Sequence, residues 1–180
     1  MQATQRSFTA AALLLCATIA GAQSPSGNVT KQTVPGIANF SKVETTVACA
    51  GATTPAALAD VKKMGYNSVI NLRLASEAGA QIDEEAAAAK SAGINYIHLP
   101  FNAQAPDPML VDNFLKAVTD KANQPAFIHC ASANRAAAMW MVKRIVVDKW
   151  DVAQATAEAE ALGLTNPNLK AFAIEQAKKH

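Results

Sequence analysis

Phe127-Ile128-His129-Cys130-Ala131-Ser132-Ala133-Asn134-Arg135, running on into Ala136-Ala137-Ala138-Met139-Trp140-Met141-Val142, is the stretch that organises this 180-residue chain. A short apolar run ends at a cysteine, small residues follow, and an arginine opens an alanine-rich segment. The pattern predicts a buried strand, a tight loop and a helix N-terminus. In such a loop the backbone N–H groups converge and the helix dipole adds partial positive charge, so an anion of phosphate size can sit there. The same field favours the thiolate of Cys130, which is the reactive form of cysteine. Arg135 can clamp two oxygens of a tetrahedral anion with its planar fork, which lysine cannot do. Taken alone, Cys130 reads equally well as a buried thiol at a strand end. Arg135 shifts the balance, because an apolar core has no use for a guanidinium. The candidate site is therefore Cys130 and Arg135, with His129, Ala131, Ser132, Ala133 and Asn134 as the surrounding loop.

Upstream, Ser68 to Leu72 reads as another buried parallel strand, with Arg73 at its C-terminal end. Ligands bind at that edge of an open parallel sheet, so Arg73 is a candidate for the same crevice; the alternative is a solvated arginine or one paired with Glu77. Phe40 to Ala50 carries β-branched residues and predicts one or two short strands, and Asn95 to Leu99 predicts the next. His98 in that strand reads as structural. Helices are expected from Pro55 to Gly65, from Asp83 to Gly93 and from Asp107-Pro108 to about Ala122, each marked by a cap, a proline, first-turn acids or a closing glycine. After the helix from Arg135 to about Val147, two more are expected, from Trp150 to Gly163 and from Pro167 onward. This alternation predicts an α/β fold: a mostly parallel sheet of four or five strands flanked by helices.

Composition is that of one globular domain: 51% hydrophobic, 17% charged, net charge +2. Such a charge gives no argument for nucleic acid or an anionic membrane as partner. Residues 1–22 read as a secretory signal, with Arg6 as the positive region, Phe8 to Ile19 as the apolar run and Ala20-Gly21-Ala22 as the cleavage site. That run is too short to anchor the mature chain in a membrane, and a periplasmic or secreted protein is expected. Residues 23–36, rich in Ser, Gly, Thr and Asn, are expected to be a flexible leader, and 37–180 a single domain. Cleavage would leave Cys49 and Cys130 in a pathway where disulfides form. Two lone cysteines and three scattered histidines do not make a zinc motif. Oligomeric state has no signature in the sequence.

The loop resembles the active-site loop of cysteine-dependent phosphatases. More closely, it resembles a bacterial protein tyrosine/dual-specificity phosphatase-like family, the domain also found in beta-lactamase hydrolase-like proteins, in which four residues separate Cys and Arg as here. Ile37-Ala38-Asn39-Phe40, Thr54-Pro55, Ser68 to Arg73 and Glu160 to Leu164 extend the resemblance over nearly the whole mature chain. It implies hydrolysis of phosphomonoesters in two steps. The Cys130 thiolate attacks phosphorus while Arg135 and the loop amides hold the equatorial oxygens, and water then hydrolyses the thiophosphate. No cofactor or metal is required, and the partner is a phosphate-containing substrate or another tetrahedral anion. The resemblance places the general acid at Asp107, with Asp112 second because it falls within the helix. It also puts Cys49 beside the active-site edge, where it could act as a resolving partner for Cys130.

Three departures from ordinary tyrosine phosphatases point to a slower or different reaction. The loop is one residue shorter, its usual glycine is missing so that Ala133 or Asn134 must take any left-handed conformation, and Ala136 replaces the hydroxyl residue after the arginine. A six-membered loop from Cys to Arg is also the length found in rhodanese-like sulfurtransferases, which makes a Cys130 persulfide the alternative chemistry. A third possibility is a non-catalytic anion-binding or redox-sensing module.

Overall fold

The computed structural model describes residues 29–180; the expected signal segment lies outside the described residues. The strands are β1 (Thr30–Lys31), β2 (Ser41–Glu44), β3 (Val47–Ala50), β4 (Ser68–Asn71), β5 (Asn95–His98) and β6 (Ala126–His129). The helices are α1 (Leu58–Lys63), α2 (Ile82–Ala92), α3 (Leu110–Thr119), α4 (Asn134–Val146), α5 (Val152–Leu162) and α6 (Pro167–Lys179). One sheet has the order β1-β2-β3-β6-β4-β5, and the four strands from β3 to β5 run parallel. The central strands β4 and β6 are buried at every residue. This is why they read as continuous apolar runs: parallel strands covered on both faces have no polar side.

The sheet has six strands rather than four or five, because β1 joins it. Thr30 and Lys31 pair antiparallel with Lys42 and Ser41, so this part of the expected leader, 23–36, is an edge strand. An edge strand needs only its backbone to pair, and the polar, exposed side chains of Thr30 and Lys31 carry no strand signal.

Alternate residues of β6 serve opposite faces. Phe127 packs with Leu58, Val61, Tyr66 and Val69 on the side of α1 and α2, and His129 stacks on Phe127 with ring centroids 5.6 Å apart. Ile128 and Cys130 face the other core, which is built on α4. Ala136 to Val142 are all buried, so α4 is the central helix of its layer, and its alanines let it lie close to the sheet. Its C-terminal half is fastened to α5 by Arg144. That guanidinium lies between the Trp140 and Trp150 rings at 4.6 and 4.2 Å and donates to Glu158 at 2.7 Å. Sheet and helix together fix both ends of the loop from residue 130 to 135.

Candidate active site

β6 ends between β3 and β4, and main-chain bonds from both neighbours clamp the start of the loop. Leu72 N–H donates to the His129 carbonyl at 2.9 Å, Cys130 N–H to the Ala50 carbonyl at 3.2 Å, and Ala52 N–H to the Ala131 carbonyl at 2.9 Å. Gly51 lets the strands approach closely here, since a Cβ would meet both the Ala131 and Ala38 carbonyl oxygens at 3.2 Å and those groups would have to yield slightly. Beyond the clamp, the amides of Ala131 and Ser132 have no acceptor among the described residues. Ala131 and Ser132 are exposed, and Ser132 lines a groove, so this turn is open to solvent where successive N–H groups can gather an anion.

The left-handed position falls on Ala133, with φ +74° and ψ −16°, immediately before α4. Asn134 is committed elsewhere: its Oδ1 accepts from the N–H groups of Thr165 and Asn166 at 2.8 and 2.9 Å, which ties the α5–α6 turn to the loop. Three small terms nearly cancel in Ala133→Gly. Relief of the left-handed strain gives about 1–2 kcal/mol. Extra unfolded-chain entropy costs about 0.5–1 kcal/mol, and the lost buried methyl costs about 0.8 kcal/mol. Urea denaturation of this variant should therefore shift stability by less than about 1 kcal/mol. A loss of about 2 kcal/mol or more would mean that the alanine is not strained.

Arg135 lies beside the cysteine, near enough for the two side chains to interact. Its Nη1 donates to Glu77 Oε1 at 2.6 Å and to the Phe101 carbonyl at 3.0 Å, and its Nη2 donates to Glu77 Oε2 at 2.8 Å. A guanidinium has five N–H groups. The end-on fork is thus taken, while the Nε–H and the second Nη2 hydrogen remain as a side-on pair. Burial opposes the Arg135 charge, but the hydrogen bond to Glu77 and the charge and hydrogen bonding of Cys130 outweigh it and raise its pKa. Glu77 also loses hydration, yet hydrogen bonds from Arg135, Leu74 N–H and Arg73 hold its carboxyl well below the usual range, at about 2.

The Cys130 side chain is itself buried, at 1% exposure, and Ser132, Asn134 and Arg135 of its loop line a groove of about 280 Å³. Glu77, Asn102, Gln104, Asn134, Arg135 and Asn166 are among the groove's walls. A larger cavity of about 550 Å³ shares Ser132 and Asn134 with it and extends to Lys31, Asn39 and Phe40.

Sulfur, guanidinium and loop amides are therefore neighbours, but four other candidate residues are placed differently. His129 is fully buried on the opposite face of the sheet, its Nε2 2.7 Å from Glu85 Oε1, because strand alternation turns it away from Cys130. Arg73 is 4% exposed and spent on Glu77 and the carbonyls of Ala78 and Gly79, so it braces the loop after β4 instead of facing the crevice. Asp107 accepts from Met109 N–H at 2.8 Å in the turn before α3, whose cap position falls on Met109, and lines a separate groove with Gln176 and His180. The Asp112 carboxylate lies 3.1 Å from His180 Nε2.

Cys49 is a free, buried thiol on β3, as is Cys130 at the loop, and burial together with the nearby Cys130 pushes the Cys49 pKa up. Cys49 is in register with Ile128, two residues before Cys130. That offset, with strand spacing near 4.8 Å, sets their Cα atoms about 8 Å apart. A disulfide needs about 7 Å or less, so a bridge would require the loop to move.

Glu77 is the residue that sequence reasoning paired only with Arg73. The signal was present as an acid four residues beyond the arginine that closes a buried strand, but nothing in the spacing ties it to Arg135, 58 residues later.

The profile of the family described as beta-lactamase hydrolase-like protein, phosphatase-like domain matches residues 39–147. None of the curated proteins matches the chain. Solved structures share the fold at low identity. A putative phosphatase from Shewanella putrefaciens CN-32 is 22% identical with a TM-score of 0.67, covering 81% of this chain and 92% of that one. TpbA of P. aeruginosa is 19% identical with a TM-score of 0.65, over 87% and 92%. The core catalytic domain of the PP-IP phosphatase SIW14 from S. cerevisiae, solved with citrate, is 16% identical with a TM-score of 0.64, over 82% and 93%. The rhodanese-like alternative draws no support from these neighbours.

Proposed function

Because the chain belongs to the family of phosphatase-like domains of beta-lactamase hydrolase-like proteins, we propose that it is a phosphohydrolase working through a thiophosphate on Cys130. The observation that carries this reading is the Arg135 guanidinium beside the Cys130 thiol at the start of α4, held in place by Glu77 and the Phe101 carbonyl. An incoming phosphoryl group meets the side-on N–H pair of Arg135 and the free amides of Ala131 and Ser132. As charge develops on the equatorial oxygens, these fixed donors stabilise it without having to reorganise. That phosphotyrosine occupies a crystal of TpbA and citrate one of SIW14 is consistent with an oxyanion site in this fold.

Phosphatase chemistry leaves a covalent trace that a binding module does not. Incubation with p-nitrophenyl phosphate should release nitrophenolate catalytically. Acid quenching during turnover should yield protein heavier by one phosphoryl group, on the peptide containing Cys130. Stoichiometric binding of vanadate with neither turnover nor a phosphorylated peptide would leave the site as an anion receptor and remove the proposal.

A further inference from the structure

The groove over the loop has walls of a specific chemical kind. Three of its carboxamides have their oxygens engaged locally by N–H groups. Asn102 Oδ1 accepts from Gln104 N–H at 3.1 Å, Asn134 Oδ1 from Thr165 and Asn166, and Asn166 Oδ1 from Asn168 and Leu169 at 2.9 and 3.3 Å. These bonds fix each amide's orientation. The amino group of Asn134 donates to Ser132 Oγ at 3.3 Å. Those of Asn102 and Asn166 have no partner among the described residues, which leaves two donors that cannot transfer a proton. Among the described residues the only carboxylate lining it is Glu77, held ionised by two arginines, and no histidine lines it. Residues 1–28 contain no Asp, Glu or His that could enter from outside.

A groove rich in donors and without a free acid suits one class of leaving group: one that departs as an oxyanion. We propose that the substrates are phosphoric anhydrides, in which the group displaced from phosphorus is itself a phosphate. This rests on the phosphohydrolase reading above and specifies its substrate class. In the first step the Cys130 thiolate forms the S–P bond as the bridging P–O bond breaks. The electron pair goes to the bridging oxygen, and the leaving phosphate keeps it as negative charge met by the amino groups of Asn102 and Asn166. In the second step the oxygen of water forms a P–O bond, the S–P electron pair returns to sulfur, and both water protons leave with the inorganic phosphate. Neither step calls on Asp107, which keeps its place in the turn before α3.

The test compares inorganic pyrophosphate, p-nitrophenyl phosphate and phenyl phosphate on the full-length protein and on Asp107→Asn and Asn102→Ala. General acid catalysis contributes about 100-fold or more where it operates. Pyrophosphate and the nitrophenyl ester should therefore exceed phenyl phosphate in kcat/KM by about 100-fold or more. Asp107→Asn should change none of the three by more than about twofold. Asn102→Ala should lower pyrophosphate turnover about tenfold while sparing the nitrophenyl ester, because one hydrogen bond to a charged group is lost. Phenyl phosphate turned over almost as well as the nitrophenyl ester, with that activity lost in Asp107→Asn, would overturn the inference and leave a phosphatase with an ordinary acid. Turnover of aryl esters with pyrophosphate untouched would equally overturn it. Failure of all three substrates would instead remove the phosphohydrolase reading itself.

Discussion

Cys130→Ser should abolish hydrolysis of p-nitrophenyl phosphate, lowering kcat about 10⁴-fold or more while vanadate still binds. The size of the effect follows from the nucleophile. A thiol yields usable thiolate near neutral pH, whereas a serine hydroxyl needs an adjacent base, and among the described residues none lines this groove beyond Glu77, which is already bound to Arg73 and Arg135. In the proposed mechanism the anion is held by Arg135 and the amides of Ala131 and Ser132, so its binding survives the change of one atom. The matching control is Cys49→Ala. Because Cys49 lies in the core two residues out of register with Cys130, its removal should cost about 1 kcal/mol of stability and leave the rate within about twofold. Steady-state kinetics and vanadate titration on the three proteins decide the matter. A Cys130→Ser enzyme within tenfold of the parent would mean that the sulfur does not form the covalent intermediate. A Cys49→Ala enzyme that loses activity only under oxidising conditions would restore a redox partnership between the two thiols.

The parts of this molecule visible in its sequence are those where one residue's neighbours along the chain settle its role. The apolar runs of β4 and β6 can exist only as strands covered on both faces, and Cys130 to Arg135 can make an anion loop only at a helix N-terminus. Asp151 and Asn166 cap α5 and α6 through local bonds, to Gln154 N–H in the first case and to Asn168 and Leu169 N–H in the second. Where contacts cross the fold, the sequence is silent. In the sequence Asp107 looks like both a cap and an acid, and only the placement of its loop shows that it closes the turn before α3 on a separate groove. His129 precedes the nucleophile by one residue, which in a strand means that it faces away and pairs with Glu85 across the other core. Glu77 meets Arg135 only because β4 and β6 are neighbours in space, with Asn71 and His129 in register at their ends.

Glu77→Gln carries the second large effect, and its direction separates two roles for the carboxylate. If Glu77 merely occupied the guanidinium, its loss would free Arg135, strengthening vanadate binding and raising the rate. The hydrogen-bond count argues otherwise, since Glu77 takes only the end-on pair of Arg135 and leaves the side-on pair to Cys130 and its anion. Glu77 is therefore a positioning residue, and a glutamine would aim an amino group at donors on Arg135 or Arg73. A misplacement of about 1 Å should lower kcat/KM about 100-fold. Glu77→Asp should recover little of this, being one methylene too short to span both guanidinium nitrogens. The same substitution has a pH signature that a purely steric change lacks. The folded carboxyl is held near pKa 2 against an ordinary 4.5, so its contribution is fully present above about pH 4.5 and is lost as the pH falls toward 2. With solvent screening of this partly exposed group allowed for, that contribution is about 2 kcal/mol. Urea unfolding should accordingly show parent and Glu77→Gln separated by this amount at pH 7 and converging near pH 2. A gap that stays constant across that range would mean that the ion pair with Arg135 contributes nothing to the folded state. An increase in activity would show that Glu77 blocks the anion site.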